Sequence, residues 1–297
     1  MKPAPFEYLR AASVEEACAL LAAHGPDAKL IAGGQSLVPM MAMRLVRPAW
    51  LIDVGDIDAL AQISIEPDTV TLGACARQYV LAAHGGLGAA LPIIAQALIW
   101  VGHEQTRNRG TLGGSLVHAD PSAELPLVAV MLDARIGLQS RARGRRVVSA
   151  REFFTGPMST VIEADECLVE VRLDQWSGQG LGSAFDEVAI RHGDFALASG
   201  CAQIALDPDG RVRRVALALG GVAGVPLDVS GYAASLVGQF IDDTATEAIA
   251  RSVAAALDPP ADLHASSEYR RALALTLCVR VLRTATARAR ASLTEVA

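Results

Sequence analysis

The stretch from Arg107 to Pro121 constrains the fold of this chain most strongly, because it combines glycines with small polar side chains. It contains three glycines and two arginines within fifteen residues. Glycine lets the backbone adopt positive φ and lets a ligand approach bare N–H groups. Thr111 and Ser115 place hydroxyls on either side of Gly113 and Gly114. The stretch therefore predicts a loop that binds phosphate without a metal ion.

A second glycine pair, Gly33 and Gly34, lies earlier in the chain and is followed by the polar residues Gln35 and Ser36. One such loop is weak evidence for a phosphate site. Two glycine pairs with neighbouring hydroxyls, about 80 residues apart, predict two loops that close on a single diphosphate.

The composition indicates a folded protein whose core is mostly aliphatic. The chain has 297 residues, of which 52% are hydrophobic, 4% are aromatic and 20% are charged. This balance, with 26 glycines, favours a soluble protein of mixed helices and strands over a disordered one. The net charge of −6 argues against a large nucleic-acid interface.

The cysteines and the hydropathy pattern predict a cytoplasmic protein without a metal cluster of its own. The five cysteines are far apart and none forms a Cys-x-x-Cys pair, so the chain offers no zinc or iron–sulfur ligand set of known spacing. No apolar run has transmembrane length, and the first eight residues lack the apolar segment of a signal peptide.

The order of predicted elements divides the chain into three parts. A capping box at Ser13 begins a helix, and the strands 28–32 and 50–54 flank a helix over 37–45, which gives a β-α-β-like unit in residues 1–55. Hairpins and apolar helices follow in residues 56–175, and the polar, glycine-rich stretch 175–182 is the best linker candidate. Residues 176–297 contain a strand–turn–strand pattern and then the helices 245–257 and 266–291.

Two familiar kinds of active site do not fit the sequence. Ser115, His118 and Asp120 lie within six residues of each other, whereas a hydrolase triad joins separate segments, and no G-x-S-x-G turn surrounds Ser115. The pairs Gly86/Gly88 and Gly178/Gly180 begin a G-x-G-x-x-G fingerprint without completing it, which argues against a Rossmann site.

Several polar residues near the glycines have two interpretations each. Arg107 and Arg109 either clamp backbone carbonyls or meet a ligand, and His103 either caps the preceding helix or contacts a cofactor or partner. The turn from Arg191 to Asp194 is either a plain turn or a loop beside the ring of a bound cofactor. Glu124 is either a first-turn acid favoured by the helix dipole or an acceptor for a ribose hydroxyl.

These motifs, in this order and spacing, resemble the FAD-binding medium subunit of the molybdenum hydroxylases, which include xanthine, carbon monoxide, nicotine and caffeine dehydrogenases. The resemblance covers essentially the whole chain. It rests on the segments 32–37, 105–115 and 118–121, and on two further short motifs of the family type at 191–196 and 266–270.

The resemblance implies an α+β fold of the two-subdomain FAD-binding type found in molybdenum hydroxylases and vanillyl-alcohol-oxidase-like proteins. Residues 1–55 and 56–175 would hold FAD between them, and 176–297 would form a C-terminal α+β domain with a small antiparallel sheet. The first glycine-rich loop would wrap the pyrophosphate, and the second would complete the cradle. Val117 and His118 would lie along the cofactor, and Glu124 would bind on the adenosine side. Val101 and Leu168 would lie near the flavin or adenine ring. The implied cofactor-binding residues are Ala32, Gly33, Gly34, Gln35, Ser36, Leu37, Val101, Thr111, Gly113, Gly114, Ser115, Val117, His118, Glu124 and Leu168.

Two positions depart from the family pattern. Many relatives have histidine where this chain has Gln35, and glutamine keeps the capacity for hydrogen bonding. Eukaryotic xanthine dehydrogenases carry a lysine near the flavin where this chain has Asp186, which makes the field around a flavin less positive and puts NAD⁺ reactivity in doubt.

The resemblance implies an electron-transfer subunit without catalytic residues or metal ligands of its own. A small subunit with two [2Fe–2S] clusters would deliver electrons to FAD on this chain, a large molybdopterin subunit would hydroxylate the substrate, and the assembly would be a dimer of heterotrimers. Two alternatives are a stand-alone flavin oxidase and a scaffold subunit that has lost FAD. The substrate and the electron acceptor do not follow from this sequence.

Overall fold

A computed structural model describes residues 2–176 and 178–294. Helices and strands alternate in the first half, and an antiparallel sheet with long helices forms the last third. The described helices are α1 (Val14–His24), α2 (Leu37–Ala42), α3 (Gln78–Ala83), α4 (Gly85–Ala90), α5 (Pro92–Leu98), α6 (Glu104–Arg109), α7 (Leu112–His118), α8 (Glu124–Met131), α9 (Ala150–Phe153), α10 (Asp243–Ala256) and α11 (Ser267–Thr294).

The strands form three main sheets and one short hairpin. The described strands are β1 (Glu7–Arg10), β2 (Ala28–Ile31), β3 (Trp50–Asp53), β4 (Ile63–Ile65), β5 (Thr69–Gly73), β6 (Arg135–Ser140), β7 (Gly144–Ser149), β8 (Phe154–Gly156), β9 (Ser159–Thr160), β10 (Glu166–Asp174), β11 (Leu181–Ala189), β12 (Ala196–Leu206), β13 (Val212–Gly220) and β14 (Leu227–Asp228).

The first sheet is parallel and has the order β1-β3-β2. Helix α1 packs against it, and the backbone N–H of Glu16 donates to the Ser13 hydroxyl over 3.1 Å while the Glu16 carboxylate accepts from Ala12. The first bond confirms the predicted N-cap at Ser13, whereas the Glu16 carboxylate bonds Ala12, one residue before the N–H that a complete capping box would use.

The second sheet is antiparallel, in the order β4-β5-β10-β6-β7. The helices α3 to α8 lie between β5 and β6 in the chain, so the second glycine-rich segment belongs to a helical insertion into this sheet. That insertion carries α7, which packs against β10 and β5.

The third sheet, β11-β12-β13-β14, is antiparallel and lies between two helical layers. One of its faces meets α5 and α8, and α11 packs against β11 and β12. Because Phe185 and Cys201 are buried in the same apolar cluster as the N-terminal helices and sheets, the third sheet shares a core with them. A second cluster lies between this sheet, α10 and α11.

Most predicted elements are present, and the differences concern their ends and the glycines. The helix predicted over 37–45 ends at Ala42. The linker predicted over 175–182 is shorter at its end, because β11 already begins at Leu181. Ser177, within that predicted linker, lies outside the described residues. The predicted loop at Gly113 and Gly114 is wrong, since both glycines lie in the first turn of α7. The predicted turn over 153–157 is largely the end of α9 and strand β8.

Gly182 allows the closest approach between the third sheet and α11. A Cβ on Gly182 would collide with the carbonyl oxygen of Ala285 and with the backbone N of Ala289. We therefore expect Gly182→Ala to force β11 and α11 apart and to lower the free energy of unfolding by about 2 kcal/mol. Denaturant unfolding measures the change. Gly231→Ala is the control, since a Cβ there meets nothing within 4 Å; equal stability of the two variants would contradict the packing.

Candidate functional site

The two glycine-rich segments lie against each other. A Cβ on Gly33 would collide with the carbonyl oxygen of Arg109 and would lie 3.0 Å from the Cα of Gly110. Arg77 also holds the second segment, because its Nη1 donates to the same Arg109 carbonyl, while its Nη2 lies 3.4 Å from a Cβ built on Gly55, just after β3. Sequences 80 residues apart therefore line one site, and Gly33 is required for their contact.

The first segment, 32–37, presents a run of open backbone donors. Among the described residues, no group accepts from the N–H groups of Gly33 through Leu37. Gly34 has a φ of +71°, and Val38 packs against it. The Gln35 side chain folds back and donates through Nε2 to the Gly33 carbonyl over 3.0 Å. Consecutive unpaired N–H groups of this kind make a concavity that favours an anion.

The second segment is a helix start whose own N–H groups are mostly used. The hydroxyl of Thr111 caps α7 by accepting from the N–H of Gly114 over 3.1 Å. The N–H groups of Leu112 and Gly113 donate to the carbonyls of Ala76 and Ala74. This segment can therefore offer little backbone donation to a ligand.

Two features of α7 remain available to a ligand. Gly114 is exposed and has no side chain, and the half-buried Ser115 hydroxyl has no hydrogen-bond partner among the described residues. Gly113 serves packing instead, because a Cβ there would lie 2.7 Å from the Cβ of Ala74. The two glycines of this pair thus have different roles.

The arginines of the second segment divide between the two interpretations. Arg107 is a backbone clamp, since its Nη1 donates to the carbonyls of Val101 over 2.8 Å and Gly102 over 3.1 Å. Arg109 contributes its carbonyl to the contact with Gly33, and its own side chain is exposed. The C-cap of α5 is Ile99, and His103 occupies the N-cap position of α6 without capping it, so of its two interpretations the helix cap is wrong.

The 191–195 loop lies against the end of α5 and the turn that follows it. The rings of Trp100 and His192 stack with centroids 5.7 Å apart, and His103 approaches Gly193, whose φ is +88°. These contacts fix the loop, while Phe195 remains 70% exposed. A large exposed apolar ring on an anchored loop is suited to covering another flat ring.

The other residues predicted to bind the cofactor differ widely in solvent exposure. Val101 and Leu168 are buried in the core, whereas Val117 is exposed on α7. His118 is half-buried, and burial lowers the pKa of its imidazole. Asp186 forms an ion pair with Arg280 over 3.3 Å, so its charge is partly neutralised.

A pair of carboxyl groups lies where α8 meets the third sheet. Burial raises the pKa of Glu124, at the start of α8, to about 7. Burial also raises the pKa of Glu187, on β11, to about 9, with further contributions from the negative charges of Glu124 and Asp186. Neither carboxyl oxygen of Glu187 has a partner among the described residues, nor does the hydroxyl of Ser199, its cross-strand neighbour. Glu187 is therefore a neutral acid at pH 7.

Arg77 and Glu187 are the two residues of the site region that sequence analysis missed. Arg77 lies in a short connection between β5 and α3, and Glu187 follows Asp186 within strand β11. Neither belongs to a motif, so no local signal distinguishes them.

Among residues 2–176 and 178–294, no cluster of His, Cys, Asp and Glu could hold a metal ion, and no helix is long and apolar enough to cross a membrane.

Comparisons with known proteins identify both parts of the chain. Residues 4–176 match the family model described as the FAD binding domain in molybdopterin dehydrogenase, and residues 183–285 match the CO dehydrogenase flavoprotein C-terminal domain. The chain is 38% identical to the 6-hydroxypseudooxynicotine dehydrogenase complex subunit alpha of Paenarthrobacter nicotinovorans, over 98% of this chain and 97% of that protein. It is 37% identical to the carbon monoxide dehydrogenase medium chain of Hydrogenophaga pseudoflava, over 97% and 99%. The crystal structure of quinoline 2-oxidoreductase from Pseudomonas putida 86 superposes with a TM-score of 0.91, at 36% identity and over 97% and 99% of the two chains.

The neutral carboxyl of Glu187 predicts a specific pH dependence of stability. Between the usual pKa near 4.5 and the folded-state value of about 9, the unfolded chain releases a proton that the folded chain retains, so this group lowers the free energy of unfolding as pH rises. We expect Glu187→Gln to be more stable than the parent by at least about 1 kcal/mol near pH 8.

Urea unfolding of both proteins across this pH range measures the effect. The advantage of the variant should shrink only as the pH falls below the usual pKa near 4.5, where both states carry the proton. Glu66→Gln, at an exposed position, is the control. A Glu187→Gln variant whose stability follows the parent at every pH would show that Glu187 is ionised in the folded protein.

Proposed function

We propose that this chain, which belongs to the family of FAD-binding medium subunits of molybdenum hydroxylases, carries FAD and passes electrons from an iron–sulfur subunit to an external acceptor. The observation that carries the proposal is the run of open N–H groups in segment 32–37, held against the second glycine-rich segment by the contact between Gly33 and Arg109. This arrangement is suited to the diphosphate of a dinucleotide.

The two segments would contribute differently to the diphosphate. Gly33, Gly34, Gln35, Ser36 and Leu37 would donate backbone N–H groups to the phosphate oxygens. Across the site, Ser115 would donate its hydroxyl, and the bare Cα of Gly114 would let the diphosphate approach α7. The guanidinium of Arg77, which donates to the Arg109 carbonyl, would add positive charge beside the second segment. Thr111 and Gly113 would support the site by capping and packing α7.

The rest of the cofactor would extend along the two sides of α7. Val117 and His118 would lie along it, and the Glu124 carboxylate would accept a hydroxyl hydrogen bond on the adenosine side. Ala32 would contact the cofactor at the start of the first loop. Val101 and Leu168, which are buried in the core, would form the apolar surroundings of its rings. The exposed Phe195 and its anchored loop would shield a flat ring from water. Bound FAD would supply the capacity to accept two electrons and pass them on.

The composition of the chain supports a division of labour with partners. All five cysteines are buried and unpaired, and burial raises the pKa of Cys75 to about 11, so these thiols are unsuited to ligating iron. The [2Fe–2S] clusters would therefore belong to a small subunit, and molybdopterin with the hydroxylation step to a large subunit, in a dimer of heterotrimers. Free cysteines also fit a cytoplasmic location.

Gln35→Glu tests the diphosphate site directly. The substitution keeps the shape of the side chain and places a negative charge beside the open N–H groups, so we expect FAD affinity to fall about tenfold or more. The measurement is the flavin absorption of the purified protein and the amount of FAD released on denaturation.

Gln62→Glu is a matched control for the substitution. Gln62 is also exposed, and its Nε2 also donates to a backbone carbonyl, that of Asp58, over 3.0 Å. We expect this variant to keep its FAD. Equal FAD content in both variants would place the diphosphate elsewhere, and a parent protein without flavin, even with its partners, would support a scaffold subunit instead.

A further inference from the structure

Helix α2 and the turn after it expose an unusual amount of apolar surface. Val38, Met43 and Leu45 are 50%, 53% and 68% exposed, and all three lie within eight residues. We call these three side chains, with Arg44 and Arg47, the α2 patch. Single exposed apolar side chains are normal, but several together at one place mark an interaction surface. Methionine and arginine are the residue types that protein interfaces favour.

The α2 patch carries positive charge that the chain itself does not neutralise. Arg44 and Arg47 donate through Nε to the carbonyls of Lys2 and Arg44, over 3.3 and 3.2 Å, and neither forms a salt bridge within the described part of the chain. The chain as a whole has a net charge of −6. A basic margin around apolar side chains on an acidic protein is complementary to a partner with an acidic margin.

The backbone holds the patch in a fixed conformation. Arg44 has a φ of +59°, which is uncommon for a residue with a side chain. The N–H groups of Arg44 and Leu45 donate to the carbonyls of Met41 and Met40, over 3.0 and 2.9 Å, and so secure this turn. Because the turn ends α2 abruptly, Met43 and Leu45 project from the surface where the helix would otherwise continue. Such local strain persists only where the surrounding structure holds it.

The α2 patch is continuous with the proposed diphosphate site. Helix α2 begins directly after Ser36, and a Cβ on Gly34 would lie 3.2 Å from the Cγ2 of Val38. A protein that covers the patch would therefore reach the first loop. An electron donor has to dock with its centre close to the cofactor, and the α2 patch borders the site proposed for that cofactor.

We propose that the α2 patch is the docking surface for the [2Fe–2S] subunit, with acidic groups of that subunit facing Arg44 and Arg47. The inference rests on the proposed function, because it assumes that this chain receives electrons from such a subunit. It names a surface that carries no cofactor-binding residue, so substitutions there separate partner binding from FAD binding.

The test uses the complete complex, produced by coexpression of this chain with its iron–sulfur and molybdopterin subunits. The double variant Met43→Glu/Leu45→Glu places two negative charges on the patch. Leu263→Glu is the control, since Leu263 is fully exposed and lies in the connection between α10 and α11. The two readouts are the iron–sulfur subunit retained per FAD-bearing chain and the FAD content itself.

We expect the double variant to keep its FAD and to bind the iron–sulfur subunit at least tenfold more weakly, while Leu263→Glu retains both. Arg47→Glu should weaken the complex and reduce its dependence on salt, because a screened ion pair has been removed. The thermal midpoint of the isolated chain should be unchanged in all variants, because the substituted side chains are exposed.

Three results would overturn the docking surface. The double variant could bind the iron–sulfur subunit as the parent does. It could lose FAD, in which case the patch belongs to the cofactor site. Light scattering of the full chain alone could show self-association that the double variant abolishes while the complex stays intact, which would make the occupant a second copy. A parent chain with neither FAD nor partner would instead contradict the proposed function, and the inference with it.

Discussion

The contact between Gly33 and the carbonyl of Arg109 is the constraint on which the site depends. It brings together a loop that follows a parallel strand and a helical insertion of an antiparallel sheet, and Arg77 secures it by donating to the same carbonyl. Any side chain at position 33 would force the two segments apart. A glycine that looks like a phosphate-loop residue is thus first a packing residue, and the binding surface follows from the packing.

Local patterns predicted much of the fold because their causes are local. The N-cap at Ser13 and the hairpin of β4 and β5 follow from side-chain bonds and alternation within a few residues. Strand β1 was missed because its sequence carries no alternating pattern and it pairs with β3, more than 40 residues away. The glycines of α7 predict a loop because glycine disfavours helices, whereas close packing of Gly113 on Ala74 requires glycine in the helix.

Motifs predicted which segments form the site, but not how each acts. The run of open N–H groups agrees with the phosphate-binding interpretation of segment 32–37. The N–H groups around Gly113 are used inside the protein, which only the register of α7 against Ala74 and Ala76 reveals. Glu187 and Arg77 act through contacts between distant segments, so their surroundings, and in the case of Glu187 its charge state, depend on tertiary structure that no short motif records.

Amide hydrogen exchange with and without FAD tests the central claim most directly, because that claim concerns individual backbone N–H groups. Exchange at residues 33–37 should be fast in the FAD-free chain, where these groups have no acceptor, and should slow strongly when FAD binds. The N–H groups of Leu112 and Gly113 should be protected in both states, since they bond within the protein. Exchange at residues 33–37 that stays fast in the FAD-loaded chain would contradict the account.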